Sequence, residues 1–597
     1  MSYSTRSGRQ VIRKRHFDEI STSIDPKQRK KARSKRAKPT VDALTEAPAL
    51  TEQIIRQRAQ FTPPIEVAFT EFEVLWTERE PINLFLRFLG AESLTAIVEA
   101  TNRRAKTAYQ QLKENVSQPR FWRPTTRGEF LQWLGILFHM GRHIEKCRED
   151  YWHSYSWPIG KNRWEQIHRF LAFNTTPPTA TPPLWHKLEP VATNIRNNCR
   201  AAVSPSSWFA VDELMISFTG RSAHKTLIRN KPIPEGFKVW ALGFQGFIHD
   251  WLWHSRRDGV EECPRTLKVE EVPYLKEVMV APTHLVPINL CRKLRDRNPH
   301  TNYVVILDNL FLNVPVAHIL LKYDIGCLGT TRKNVEGFLR VLIDAKNHNR
   351  LLQWGEHVSI QVGKALCFLW QDNNAVLGVT TTFSMHRDTD FVVRSRKRPK
   401  KTSTNAAVTW PVFQGHARKD LAIPTLIDVY NHHMNGVDLA NQIRRSFTCQ
   451  RPQQLRWWRP IAFWLFDICA NNSFLIWERF TSKSKAKSRR KHKQFQEILI
   501  RSLISMDSKL PVYDIASDHA PASIKERRHC AWGARCPTEC YQGVGLHRKV
   551  LGEVVNEARP KRRRARQVHT ICVACDVSLC YDRDCFNKWH AFLHSNC

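Results

Sequence analysis

The sequence predicts a multidomain α/β protein, and three observations carry that prediction. Between about 80 and 205, apolar residues recur at three- and four-residue intervals, the period of helices that bury one face. From 206 to about 340, strand-like apolar runs such as WFAVDELMISF and YVVIL alternate with a helical stretch at 315–323. A chain of 597 residues is also too long for one core and is expected to divide into about three to five domains.

The segments follow in order. Residues 1–60 are expected to be a disordered basic tail, with thirteen Lys/Arg against three Asp/Glu in the first forty positions and few aromatics. Within it, Lys30-Lys31-Ala32-Arg33-Ser34-Lys35-Arg36 reads as a nuclear localisation signal, the competing reading being a solvated polybasic tail. The stretches INLFLRFLGAESLTAIVEATNRRAK, GEFLQWLGILFHMGR and NRWEQIHRFLAF predict the helices of an 80–205 unit. His139 and His143 share a helix face there with the spacing of a metal pair, but no third ligand accompanies them, so both are expected to be structural.

The strand-rich stretch 206–340 suits a mixed sheet, and 424–446 is assigned to the same unit. Between Asp308 and Asp438 lie 129 residues, too many for a simple connection. The strand-like segments HVSIQVG, LCFLWQD, AVLGVTTTF and FVVRS, followed by the basic run Arg394 to Lys401, predict a β-rich insertion over 341–423. Helical pattern resumes over 447–505. The segment Lys483 to Lys493 holds seven Lys/Arg and no acid, and reads either as a DNA-facing helix or as a linker. No solenoid-like repeat is present.

Composition narrows the partners. A formal net charge of +37 and a pI near 9.9 call for a polyphosphate counter-surface, and nucleic acid is favoured. A membrane is disfavoured, because no apolar run approaches the roughly 18–20 residues needed to span one. The polar, basic start does not resemble a signal peptide, so the chain is expected inside the cell. Of sixteen cysteines, eight are scattered through the first 529 residues and eight lie within 530–597, a clustering that reads as metal binding in a reducing compartment rather than as disulfides.

Three aspartates carry the chemistry. Asp212 lies in an apolar alternating stretch and Asp308 directly follows Val304-Val305-Ile306-Leu307, so both are expected on buried strands. Unpaired carboxylates there would cost several kcal/mol each unless a cation compensates. Asp438 follows Asn435-Gly436 and opens a predicted helix, VDLANQIRRSF, from which it can approach the same point; taken alone, it also reads as a helix N-terminal acid. Hard oxygen ligands of this kind suit magnesium or manganese. Two such ions about 4 Å apart can serve both ends of an in-line phosphodiester displacement.

These residues lie in blocks that resemble the piggyBac-type DDE transposases: VDELMISFTGR with NKPIPEGFKVWAL, then LDNLFLNVPVAHILLKYDIGCLGTTRKN, then YNHHMNGVDLANQ, then LRWWRPIAFWLFDICANNSFLIW from Leu455. Asp150-Tyr151-Trp152 matches an element preceding the core, and the resemblance spans about 80–480 in the family's order. It implies an RNase H-like catalytic core with a β-rich insertion, flanked by a helical domain that dimerises and binds DNA. Asp212, Asp308 and Asp438 would be the catalytic metal ligands. It further implies double-stranded DNA partners, both transposon ends and target, and a homodimer. The chemistry would be hydrolysis freeing a 3′-OH, a hairpin intermediate, and joining at TTAA. In one respect the chain departs from the family. Where members read Gly-Val-Asp-x-x-Asp-Gln, this chain has Asn441, three residues after Asp438 on the same helix face, which keeps a carbonyl ligand but removes a charge.

At the other end, Cys536-x3-Cys540, Cys572-x2-Cys575, Cys580-x4-Cys585 and His590-x3-His594 supply four ligand pairs, enough for two tetrahedral zinc sites, with Cys530 and Cys597 as spare candidates. The pattern, over 528–597, resembles the family's C-terminal cross-brace zinc finger, in which the first and third pairs hold one ion and the second and fourth the other. Which of His590, His594 and Cys597 complete the second ion stays open. The run Arg559 to Arg566 could contact DNA phosphates or serve as a second nuclear signal. Three functions are thus in play: an active transposase, a domesticated relic that binds DNA or chromatin without cutting it, and a RING-like ligase. The last leaves the aspartate blocks unexplained.

Overall fold

The computed structural model describes residues 59–506 apart from short internal stretches, the longest being 114–121, 175–183 and 261–279, together with isolated strands at 3–4, 10–11, 521–529, 567–572 and 577–578. Helices come first. Helix α1 (Pro81–Leu89) places Pro81 where a missing N–H costs nothing and buries Leu84, Phe85, Phe88 and Leu89. It stops at Gly90, whose φ of +80° side chains rarely tolerate. After α2 (Ala91–Lys113), helix α3 (Arg127–Arg142) is capped by Thr126, whose hydroxyl accepts from the Glu129 N–H at 3.0 Å.

The short α4 (Asp150–Ser154) leads to α5 (Lys161–Phe170), which is tied to α3 by Arg163 donating twice to Glu129, at 2.8 and 2.6 Å. On α3 the His139 and His143 rings stack 4.3 Å apart, edged by Tyr155 and Trp157, and burial presses His139 down to about 4. They pack as neutral aromatic side chains.

From α6 (Val191–Ala201) the chain enters a sheet of ten strands among the described residues. Strands β1 (Trp208–Ser217), β3 (Glu235–Phe244) and β4 (Phe247–Ser255) form an antiparallel meander, with the short β2 (Thr226–Leu227) on β3 and β5 (Gly259–Val260) at the edge. Helix α7 (Pro282–Arg297) then carries the chain to β6 (Tyr303–Leu307), parallel to β1 on its other side, and α8 (Val314–Leu321) carries it to β7 (Ile325–Thr330), parallel to β6. After α9 (Arg340–Asn347), strands β8 (His357–Val362), β9 (Ala365–Gln371) and β10 (Ala375–Thr380) pair as hairpins, and β10 bonds antiparallel to β7. Strands within the span expected as an insertion therefore extend the same sheet.

Both faces of the sheet are covered, which is why its central strand is apolar at every position. Val305 and Leu307 of β6 join the large core shared with the helices, while Val304 and Ile306 face a second cluster with Trp208, Phe368 and Trp370.

Beyond β10 a separate two-stranded ribbon forms from β11 (Phe391–Lys397) and β12 (Arg418–Pro424), with α10 (Ala406–Phe413) between them. Four helices follow: α11 (Thr425–His433), α12 (Gly436–Ser446), α13 (Arg459–Phe480) and α14 (Ser488–Ile504). Helix α13 is buried along nearly its whole length. Its Asn472 carboxamide binds both the N–H and the C=O of Ile248 on β4, at 3.1 and 2.8 Å, fastening helices to sheet. The second half of the basic run 483–493 lies on α14, with Lys491 and His492 buried and the His492 ring stacked on Phe474 at 4.3 Å; residues 482–487 are outside the described residues. No single helix among the described residues is long and apolar enough to cross a membrane.

Candidate active site

The sheet register sets two of the three aspartates side by side. Val211 pairs with Leu307, so Asp212, within β1, and Asp308, the first residue after the parallel β6, lie level with each other. Asp212 accepts from the Glu213 N–H at 2.6 Å. Asp308 caps the turn after β6, accepting from the Leu310 N–H at 2.8 Å.

Asp438 arrives from the other side, in the first turn of α12. Gly436 makes that approach possible, because a Cβ there would meet the Gly243 carbonyl at 2.9 Å and the Phe244 Cα at 3.1 Å. The Gly246 N–H, in a turn with φ +89°, donates to the Gly436 carbonyl at 3.0 Å, and Asn471 of α13 donates to the Gly246 carbonyl at 2.9 Å. The start of α12 is thus pinned onto β3, leaving Asp438 exposed at the rim.

Electrostatics tie the three together. Burial pushes the Asp212 carboxyl up to about 7, and the charges of Asp438 and Asp308 push it further in the same direction, opposed by the Glu213 N–H and by Lys231. Burial also raises Asp308. Among the described residues no three His, Cys, Asp or Glu side chains close into a cage around one point. The charges of Asp308 and Asp438 both act on Asp212. Their oxygen-only donor set suits a hard divalent ion, and Asp212, driven toward neutrality by burial and like charge, is a group that a cation would return to its ionised form.

The structure adds residues that sequence reasoning passed over. Lys231 pairs with Glu213 at 3.2 Å; burial presses its ammonium down, but Asp212 and Glu213 outweigh that and raise it. Tyr430 of α11 lies within hydrogen-bond reach of Thr330 at 3.4 Å, and its hydroxyl is raised by burial and by the charges of Asp308 and Asp212. Arg332 holds Asn309 at 3.0 Å beside Asp308. Both lay within the blocks that resemble the family, Lys231 in NKPIPEGFKVWAL and Tyr430 at the head of YNHHMNGVDLANQ, but nothing local in sequence ties either side chain to the aspartates.

Asn441 turns toward its own helix: its Oδ1 accepts from Arg444 at 3.3 Å, and Arg444 pairs with Asp467 of α13 at 3.3 Å with both side chains buried. A cleft of about 440 Å³ lies beside this pair, lined by Pro232, Pro234, Arg444, Arg445, Thr448 and Gln450 among others, with no carboxylate in its walls. Further along, Arg104, Lys187, Arg456 and Arg459 gather without an ion-pair partner among the described residues. Burial and then the neighbouring cations press Arg104 to about 10 and Arg459 to about 9. Of the proposed zinc ligands, Cys572 ends the strand Gln567–Cys572, paired with Val577; Cys536, Cys540, Cys575, Cys580, Cys585, His590 and His594 lie outside the described residues, as do Cys530, Cys597 and both basic signal runs.

Comparison with known proteins gives concordant matches. A family model described as Transposase IS4 matches residues 80–474. The chain is 22% identical over 414 residues to PiggyBac transposable element-derived protein 3 of Homo sapiens, a match covering 68% of this chain and 62% of that protein. It is 24% identical over 409 residues to PiggyBac transposable element-derived protein 2 of Homo sapiens, covering 67% and 62%. The matches thus span just under two thirds of these relatives. Among solved structures, the cryo-EM structure of a piggyBac transposase synaptic complex with hairpin DNA shares the fold, with a TM-score of 0.54 at 17% identity, covering 85% of this chain and 96% of that one.

Proposed function

The chain belongs to the piggyBac-type DDE transposase family, and from that premise we propose that it is a DNA transposase, cutting transposon ends and rejoining them to target DNA by metal-dependent hydrolysis and transesterification. The reading is carried by the placement of Asp212 on β1, Asp308 directly after the adjacent β6 and Asp438 in the first turn of the pinned α12, with the charges of Asp308 and Asp438 both acting on Asp212. A meander of three strands followed by two parallel ones supports reading the sheet as an RNase H-like core.

Bound between these carboxylates, magnesium or manganese would activate the attacking oxygen and stabilise the leaving one. Asp212 and Asp308 supply rigid ligands because the strand register fixes them. Asp438 closes the site from the rim, and Lys231, held by Glu213, sets its positive charge beside Asp212 and faces the polyanionic substrate. The carboxylate-free cleft and the cluster around Arg456 offer the phosphate contacts that keep a duplex in register. Joining at TTAA, a hairpin intermediate, a homodimer and work in the nucleus complete the reading, each on the family resemblance. The test is nicking of a duplex carrying the element's own ends, with and without magnesium. Cleavage without divalent ion, or none with it, goes against the proposal.

The domesticated alternative, binding without cleavage, rests on Asn441. A magnesium titration of nicking separates the two roles this position can have. If Asn441 faces the ion, Asn441→Asp adds a carboxylate and lowers the magnesium requirement several-fold, since ligand charge sets much of the affinity for a hard cation. This is the expected result. Superimposable curves mean that the side chain serves only Arg444, as its 3.3 Å contact allows.

For the C-terminal cysteines the proposal is two zinc ions. The antiparallel pairing of Gln567–Cys572 with Val577–Ser578 brings the chain back within five residues of Cys572, which supports a metal-binding turn at Cys572-x2-Cys575. Metal analysis of the full-length protein is expected to return two zinc equivalents, lost on Cys572→Ser with Cys575→Ser in part and on chelation in full. A zinc-free protein refutes it.

A further inference from the structure

The ribbon β11–β12 has two unlike faces. On the inner face Arg394 clamps Asp428 of α11 with bonds of 2.8 and 2.5 Å, and Arg396 clamps Asp372 with bonds of 2.8 and 2.7 Å. Those paired arginines are anchors. Arg394 fixes the ribbon to α11, the helix that carries Tyr430, and Arg396 fixes it to the connection between β9 and β10.

The outer face carries Val393, Ser395 and Lys397 on β11 and Arg418, Asp420 and Ala422 on β12, all exposed. Val393, at 65% exposure, is among the most open large apolar side chains described. Lys397 stands directly opposite Arg418 in the register. Like charges at facing positions of an antiparallel pair repel, and neither makes an ion pair among the described residues. Lys400 and Lys401 extend the same charge past the strand end, while Arg398 and Lys401 both lie over the Trp410 ring, at 4.1 and 5.3 Å. Asp420, across from Ser395, is the one acid on this face. One facing pair of cations, continued by Lys400 and Lys401 past the strand end, on a firmly anchored ribbon is destabilising by itself and is relieved by an anion that repeats along a line.

We propose that the outer face of the β11–β12 ribbon binds the phosphate backbone of duplex DNA through Lys397, Lys400, Lys401 and Arg418, a contact separate from the carboxylate site. It rests on the transposase reading only for the choice of DNA as polyanion. An anchored ribbon against a duplex gives sequence-independent grip, because phosphates position and do not specify.

The experiment is binding of the full chain to a duplex of arbitrary sequence across a salt series. Lys397→Gln, Lys400→Gln and Arg418→Gln combined are expected to weaken binding about tenfold or more and to make the log-affinity against log-salt slope shallower by about 2–3, one step per lost phosphate contact. The melting temperature should not fall, because a repulsive pair has been removed. The charge-keeping set Lys397→Arg, Lys400→Arg and Arg418→Lys should bind like the parent. Unchanged affinity and slope in the glutamine set overturn the proposal, as does an equal defect toward polyglutamate, which would mark a general polyanion surface. Nicking is measured separately. A protein that never nicks but shows the ribbon defect leaves this site standing and removes the enzyme, and one that nicks normally while the glutamine set binds like the parent removes this site alone.

Discussion

Asp212→Asn and Asp308→Asn are each expected to lower magnesium-dependent nicking by about three orders of magnitude or more while leaving affinity for the duplex unchanged. On the proposed reading each substitution removes one ligand charge from the metal site, whereas most of the cations proposed to contact the duplex, around Arg456 and on the β11–β12 ribbon, are untouched. Nicking at the parental rate by both variants would show the carboxylate assignment to be wrong.

A stability measurement checks the same site without turnover. The folded protein holds the Asp212 proton up to about pH 7, whereas an unfolded chain releases it near 4. The contribution is therefore full below about 4 and is lost as pH rises through 7, leaving a buried, crowded carboxylate at pH 8 that costs at most about 4 kcal/mol. In chelator, Asp212→Asn should melt higher than the parent at pH 8, with the advantage shrinking toward pH 5. Magnesium should raise the parent's melting temperature and not the variant's. A variant less stable than the parent at pH 8 would mean that Asp212 is paired in the fold and not waiting for a cation.

Asp467→Ala is expected to cost about 3–5 kcal/mol. Asp467 accepts from Arg444, from the Thr448 hydroxyl and from the Cys449 N–H at 2.8 Å, and it joins α12 to α13. Burial raises Asp467 and lowers Arg444, so desolvation opposes both charges and the pair contributes little net gain over an apolar contact. Removing one member nevertheless leaves the other buried and uncompensated. Arg444→Met with Asp467→Leu should therefore recover most of what Asp467→Ala loses, and a thermal or denaturant cycle over the four proteins measures the coupling. A cost below about 1 kcal/mol for Asp467→Ala would show that water reaches Arg444.

How much could be read in the chain depended on how local the physics was. Strands around Asp212 and Asp308 were legible because a strand buried on both faces is apolar throughout, and a charged residue within or directly after such a run stands out. Helices at 81–113 and 127–142 were legible from their three- and four-residue apolar spacing, and α3 carries its cap in Thr126 and Glu129. His139 and His143, spaced like a metal pair, turn out to stack on each other. Spacing alone serves ligation and packing alike on one helix face, but the lack of a third ligand pointed to packing. The basic run 483–493 was ambiguous, and only the burial of Lys491 and His492 against Phe474 puts its second half on a packed helix.

The sequence by itself determined the family, and it singled out the three carboxylates and a polyanion partner as expectations, since each is written in contiguous blocks or in composition. Tertiary structure alone decided which groups surround those carboxylates. Lys231 approaches from a loop, Tyr430 from a helix more than a hundred residues after Asp308, and Asp438 only because Gly436 lets α12 press against β3. It also decided that strands 357–380 extend the main sheet and that Arg394 and Arg396 are anchors while Lys397 and Arg418 face outward. Pairing between distant segments fixes these facts, and the energy that selects it comes from burial and register summed over the whole core, which no short stretch of sequence records.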